Sequence, residues 1–183
     1  MPVEYSGIAK EHTAVRNAAG CFDVSHMGEF EIRGPEALDL IQHVTTNDAA
    51  TLVDGQAQYS AMAYPHGAVV DDVLVYRHNA EHFMVVVNAS NISKDLEWIN
   101  SHNRLDATVE NVSDATALIA LQGPNAKDIL QPLTNVQLAD LKTYHFAQGK
   151  VLNVDAIVSR TGYTGEDGFE LYFSADKSEP IWT

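Results

Sequence analysis

Apolar residues recur along this chain with two periods, one near 3.6 and one of 2, and the switches between them mark out its elements. Residues 8–19 carry the helical period and run into Gly20, the residue type that most readily takes the left-handed conformation closing a helix. Phe22 to Ile32 reads as one strand. Gly34-Pro35-Glu36 then opens a helix, with proline at the first helical position, an acidic residue beside it, and Ala37, Leu38, Leu40, Ile41 and Val44 as its apolar residues. Tyr59–Ala63, Ala68–Tyr76 and Phe83–Val87 are β-branched or aromatic runs separated by Pro65-His66-Gly67 and by residues 78–81, which predicts an antiparallel meander. The helical period returns from Ile92 to His102, through Leu96, Trp98 and Ile99. Strands follow at Ala107–Asn111 and Thr116–Leu121, a helix from Pro124 to Leu130, and a strand, turn and strand across residues 150–173, with the turn at Thr161 to Gly168. Residues 177–183 read as the opening turn of a helix whose apolar face has nothing yet to pack on, and a C-terminal continuation is expected.

Strands and helices are mixed without a regular βαβ rhythm, so the fold class is α+β, antiparallel sheets with packed helices. No linker or repeat marks a clean boundary. The expected organisation is one region, with two interleaved subdomains at about 1–30 with 136–183 and 31–135.

Composition narrows the function. The 183 residues are 45% apolar and 20% charged, ordinary for a globular domain. No run approaches the roughly 18 apolar residues that span a bilayer, so no membrane partner is expected. Cys21 is the single cysteine, which excludes an internal disulfide and a thiolate cluster and points to a reducing, cytoplasmic setting, or the mitochondrial matrix in a eukaryote. Eleven basic against twenty-five acidic residues give a net charge of −14, a surface that repels nucleic acid. An anion site inside the chain would draw on Arg160 or Lys94.

Five segments hold more polar residues and glycine than packing requires. In Phe22–Glu29, His26 is either a general base or ligand or, with Asp23 and Ser25, part of a helix-to-strand junction; no second histidine sits beside it at ligand spacing, and no metal site is expected. In Gly67–Tyr76 the adjacent Asp71 and Asp72 interrupt an apolar strand. Alternation sends them to opposite faces, so one points inward, where a carboxylate without partners costs on the order of a few kcal/mol. In Val85–Asp95, Ser90 or Asn91 reads as a helix cap, and two glycosylation sequons there are accidental matches. Gln122-Gly123-Pro124 reads as a structural turn. Ser159–Glu170 has three glycines within Gly162–Gly168, which permit close backbone approach, but it lacks the lysine and following helix of a phosphate-binding loop; Glu170 stands inside the next strand.

In order and spacing these segments, with Thr46-Asn47-Asp48, resemble the glycine cleavage T-protein (aminomethyltransferase) family across nearly the whole chain. The ordinary family pattern has paired glycines before the two aspartates, where this chain has His66-Gly67-Ala68. The resemblance implies a protein about twice as long, with this chain its N-terminal portion and folate-binding arginines in the other half, so that the isolated chain binds folate weakly. The implied reaction passes a one-carbon unit from the aminomethyl-dihydrolipoyl arm of H-protein to tetrahydrofolate with release of ammonia. Lipoylated H-protein is the implied partner, and tetrahydrofolate the one-carbon acceptor. By resemblance Asp72 is the catalytic carboxylate near folate N5 and N10, Glu170 accepts the pterin's donor pair, and Met27, Tyr59, Val86, Asn88 and Tyr163 surround the pterin. The same architecture serves folate-dependent demethylases, which take the carbon from another donor; a non-catalytic folate-binding module is the other alternative. A related iron–sulfur maintenance protein carries a cysteine near the glycine-rich turn, absent here.

Overall fold

The structure is a computed structural model and describes residues 3–183. The chain forms two compact units, one comprising the segment up to Val24 with Ala117–Thr183, the other Ser25–Thr116. Each is built on a five-stranded sheet with packed helices.

The Ser25–Thr116 unit contains β2 (Gly28–Arg33), α2 (Ala37–Val44), β3 (Gln56–Ala63), β4 (Val69–Asn79), β5 (His82–Val87), α3 (Ile92–His102) and β6 (Thr108–Asn111), with sheet order β3-β4-β5-β2-β6. The expected meander is β3, β4 and β5, each antiparallel to the next, and α3 has the bounds the periodicity predicted. Ala37, Leu40, Ile41 and Val44 of α2 are all buried, and they pack with Phe30, Ile32, Val73, Val75, Phe83, Val85 and Ile99 in the core of this unit. Burying each such side chain stabilises by about 1.5–3 kcal/mol, so a helix of only eight residues is held by its packing rather than by its own propensity.

The other unit contains α1 (Ile8–Asn17), β1 (Gly20–Asp23), β7 (Thr116–Gln122), α4 (Ala126–Leu130), β8 (Phe146–Val151), β9 (Val154–Ser159), β10 (Gly168–Ser174) and α5 (Ser178–Trp182), with sheet order β1-β7-β10-β9-β8. Leu130, Leu138, Val158, Phe169, Leu171 and Phe173 are in its core.

Three local expectations change. Gly20 is not a left-handed stop: α1 ends at Asn17, capped by the Ala18 N–H on Ala14 O, and Gly20 is the first residue of β1. The run Phe22–Ile32 is two strands rather than one, because β1 pairs with β7 while β2 pairs with β5 and β6, in a different sheet. The strand, turn and strand expected across residues 150–173 are β9, a loop and β10, and one strand that was not expected, β8, precedes them. β8 and β9 form a hairpin whose turn residues, Leu152 and Asn153, both have positive φ, 50° and 68°. Such turns are usually announced by Asn-Gly or Asp-Gly, and leucine gives no such signal.

Among the described residues no helix is long and apolar enough to cross a membrane.

Candidate functional site

The two aspartates of β4 do lie on opposite faces. Asp71 is the buried one, on the face shared with Val73 and Val75, whereas Asp72 is exposed. Asp72 is held from both sides: Tyr59 Oη on β3 donates to Asp72 Oδ2 at 3.1 Å, and Asn88 Nδ2, just past β5, donates to Asp72 Oδ1 at 3.1 Å. The same Asn88 amide reaches the Asp72 carbonyl at 3.1 Å and Asp71 Oδ1 at 3.0 Å. Register explains the grouping, since Tyr59 pairs with Leu74 and Leu74 with Val86, which puts Tyr59 and Val86 on one face of the sheet. Met27 is half-buried immediately before Gly28, whose partner is Val87.

Asp71 is an anchor. It accepts from Asn88 N at 3.1 Å, Asn88 Nδ2 at 3.0 Å and Asn91 Nδ2 at 2.7 Å. Burial pushes its carboxyl upward, but the neighbouring Asp95 carboxyl and the hydrogen bonds from Asn88 and Asn91 outweigh that and hold it below the ordinary carboxylate range. Of the two cap candidates, Asn91 stands at the cap position of α3 but makes no side-chain cap bond, and its Nδ2 donates to Asp71. Asp95, in the first turn of α3, is fully buried and raised to about 7 by burial and by its contact with Asp71, partly offset by Lys94 Nζ at 3.5 Å. Lys94 is also bonded to the Val70 carbonyl.

Glu29 pairs with Val86 in register and so shares the face of Val86 and Tyr59. It is 1% exposed, its carboxyl oxygens have no hydrogen-bond partner among the described residues, and burial raises it to about 8. Nearby, Glu31, His78 and His82 bring their polar atoms within 4.8 Å of one another. Glu31 is bonded to His82 and paired with Arg33 Nη2 at 3.3 Å, and the two histidine rings stack at 4.2 Å; these pairings account for the group.

In the other unit Glu170 is buried on β10, opposite Ser159 of β9. Its carboxylate accepts from Thr161 Oγ1, which lies 2.9 Å from Ser159 Oγ. Glu170 lines a cleft of about 90 Å³ with Phe22, Val24, Ala120, Gln122 and the loop residues Gly162, Tyr163 and Thr164. That is well below the roughly 300–1,000 Å³ of small-molecule pockets, room for one edge of a ligand rather than the whole. Tyr163 is 81% exposed at its rim. The loop is strapped to Gln122, whose Nε2 donates to Thr161 O at 3.1 Å and whose Oε1 accepts from Thr164 Oγ1 at 2.9 Å. This is why glycine is needed there: a Cβ on Gly162 would lie 2.1 Å from Gln122 Oε1, and one on Gly168 would lie 2.5 Å from Gln122 Nε2 and from Leu121 O. Arg160 closes the loop base by a two-pronged pair with Asp167, at 2.8 and 2.5 Å, and holds that carboxyl below its usual range. The two side chains expected to serve an anion are therefore both engaged inside the protein.

Of the residues the sequence singled out, Tyr59, Asp72 and Asn88 are directly bonded together, with Val86 on the same face as Tyr59 and Met27 leading into β2. Tyr163 and Glu170 share the cleft of the other unit. Sequence reasoning missed the anchoring by Asp71 and Asp95, and read Gln122 as part of a turn only. An acidic residue in the first turn of a helix gives no hint that it is buried against another acid.

The chain is similar to known proteins along its whole length. The family model described as the GCVT N-terminal domain matches residues 1–183. Curated relatives include an aminomethyltransferase of Chloroherpeton thalassium, 53% identical over all of this chain and 51% of its own length, and one of Moorella thermoacetica, 54% identical over all of this chain and 50% of its own length. The crystal structure of glycine cleavage system aminomethyltransferase T from Bartonella henselae superposes with a TM-score of 0.91 at 31% identity, covering 100% of this chain and 49% of that one. Heterotetrameric sarcosine oxidase from Corynebacterium sp. U-96 shares the fold, with a TM-score of 0.66 at 14% identity over 94% of this chain and 86% of its own. The chain spans about half the length of the curated relatives it matches, and it belongs to the GCVT N-terminal domain family.

Proposed function

We propose that the protein carrying this chain is the aminomethyltransferase of a glycine cleavage system, acting in the cytoplasm on tetrahydrofolate and the aminomethyl-dihydrolipoyl arm of H-protein. The aminomethyl carbon bonds to N5 and N10 of tetrahydrofolate as its bonds to the donor nitrogen and sulfur break. The two N–H protons that folate loses end on ammonia and on the lipoyl thiol, and 5,10-methylenetetrahydrofolate is the product. The observation that carries this reading is the grouping of Tyr59, Asp72 and Asn88: the one exposed member of the aspartate pair is the one the family resemblance assigns to catalysis.

Each carboxylate has a distinct task. Asp72, oriented from two sides, holds folate in place and stabilises the positive charge that develops on the iminium-like carbon. Glu170, buried, bonded to Thr161 and lining the cleft, accepts the paired N–H donors of the pterin. Met27, Tyr59, Val86, Asn88 and Tyr163 supply flat apolar walls and polar tips for a heteroaromatic ring.

The test is turnover of the complete protein with lipoylated H-protein and tetrahydrofolate, alongside calorimetric titration with 5-formyltetrahydrofolate. Ammonia release dependent on both substrates supports the proposal. Folate binding without turnover would move the reading to a demethylase or a folate-binding module. Loss of folate binding altogether would sink it.

A further inference from the structure

We infer that Asp71 and Asp95 are a carboxyl pair bridged by a single proton, and that this pair positions Asn88 and, through it, Asp72. The inference rests on the reading of Asp72 as the functional carboxylate.

Asp95 is 0% exposed, and neither of its oxygens has a hydrogen-bond donor among the described residues; Lys94 Nζ approaches Oδ1 only to 3.5 Å. Asn91, one helical turn before Asp95, holds Asp71 through its amide, and Lys94 reaches both Asp95 Oδ1 and the Val70 carbonyl next to Asp71, which makes the two carboxyls neighbours. Asp71 is in the opposite condition, with three N–H donors on its two oxygens. Two ionised carboxylates in contact in a buried place repel strongly, and one proton between them turns that repulsion into a hydrogen bond. The donors on Asp71 favour its charged form, so the proton resides on Asp95, which donates to Asp71. The orphaned oxygens of Asp95 are then explained, since a protonated carboxyl supplies the donor that is otherwise missing. The charged and titratable groups facing the pair are Lys94 on α3 and Asp72 on β4; Asn88 and Asn91 are neutral. Burial and the adjoining Asp71 raise the Asp95 carboxyl to about 7, which makes the bridge sensitive to pH in the neutral range.

Transmission runs through one amide. Asn88 gives both its backbone N–H and its Nδ2 to Asp71, and the same Nδ2 holds Asp72 at Oδ1 and at the carbonyl. An Asn88 released from Asp71 is free to rotate, and Asp72 then keeps only the Tyr59 hydroxyl of the contacts described. Neither Asp71 nor Asp95 need touch substrate; both are positioning residues.

The experiment uses the complete protein labelled with 13Cγ-aspartate. Carboxyl resonances are assigned with Asp71→Asn and Asp95→Asn and followed against pH without ligand, together with the Asn88 side-chain amide. The expected result is an Asp95 carboxyl that ionises near neutral pH, with the Asn88 amide moving along the same curve. Asp95→Asn, which keeps the shape and donates an N–H at every pH, is expected to remove that step from the Asn88 curve and from the pH profile of kcat while leaving KM for folate unchanged. Asp71→Asn is expected to lower kcat roughly 10- to 100-fold, the scale of a lost charge-assisted hydrogen bond. An Asp95 resonance that titrates like an ordinary exposed carboxylate, or an Asn88 amide indifferent to Asp95→Asn, overturns the inference. If folate chemistry is absent from the wild-type protein the functional reading fails, whereas the ligand-free titration decides the pair on its own.

Discussion

Both units set a carboxylate on a strand of a five-stranded sheet, yet they hold its surroundings by different means. Around Asp72 the neighbours come from adjacent strands. Tyr59 is one strand away on β3 and Asn88 follows β5, so the backbone ladder that fixes the sheet also fixes the site. Around Glu170, Ser159 arrives by register on one side and Ala120 and Gln122 come from β7 on the other, but part of the cleft does not come from the sheet. Gly162, Tyr163 and Thr164 sit on a loop held by the Gln122 amide and by the ion pairs Arg160–Asp167 and Arg16–Glu166, the latter at 2.7 Å. A cluster held by register keeps its backbone frame when one side chain is lost, whereas a cleft held by a loop depends for its shape on each strap and on residues small enough to let the strap close.

The largest expected effect tests that dependence. Gly168→Val puts side-chain atoms against the Leu121 carbonyl and the Gln122 amide, where the first carbon alone already meets both at 2.5 Å. The cost is about 3 kcal/mol or more, the upper range for overpacking, read as a lowered Tm by circular dichroism. An unchanged Tm would mean that the loop is not strapped as described.

Next come the carboxylates themselves. Asp72→Ala and Glu170→Ala are each expected to weaken 5-formyltetrahydrofolate binding to the complete protein by roughly 1.5–3 kcal/mol, about 10- to 100-fold, in calorimetry. The comparison sharpens in the stability measured alongside. Asp72 is exposed and its removal should leave Tm nearly unchanged, while removal of buried Glu170 should lower it by emptying its place in the core and removing its bond with Thr161.

A smaller effect, on the order of 1–2 kcal/mol after local relaxation, concerns Glu29. Its carboxyl is raised from 4.5 to about 8 in the folded protein. The folded state therefore binds the extra proton between those values, and stability falls as pH rises from near 4.5 through about 8. The urea midpoint of the wild type should decline across this window, and that of Glu29→Gln should lack this decline. Parallel curves for the two proteins would show that Glu29 is not held protonated.

The smallest effect is expected from Arg160→Gln. Its partner Asp167 is about half exposed, so the pair contributes less than about 1 kcal/mol to stability. Amide exchange should nevertheless quicken at residues 161–167 alone. Faster exchange in the Asp72 region would contradict the division drawn between the two sites.

Much of this was legible from sequence because local rules and tertiary packing agree. The β3–β4–β5 meander, the buried residues of α2 and the bounds of α3 follow from hydrophobic period and turn residues, and alternation alone required one of Asp71 and Asp72 to face inward. Where a local rule met a stronger tertiary demand, the reading changed. Asn91 stands at the cap position without capping, because its side chain is oriented by the buried Asp71 carboxylate, which accepts from Nδ2, and its Oδ1 takes no bond from the helix N–H groups. The Leu152-Asn153 turn escaped notice because left-handed leucine is affordable only inside a hairpin already fixed by its neighbours.

By itself, then, the sequence determined the α+β class, most element positions and the family, because these rest on periodicity and on the order of short motifs. The tertiary structure alone decided which aspartate is buried, that Asp95 meets Asp71, and that Gln122 straps the loop. Those contacts join residues far apart in the chain, 24 positions for the first pair and 39 or more for the second. Nothing in the residues between them records which side chains the sheets bring together.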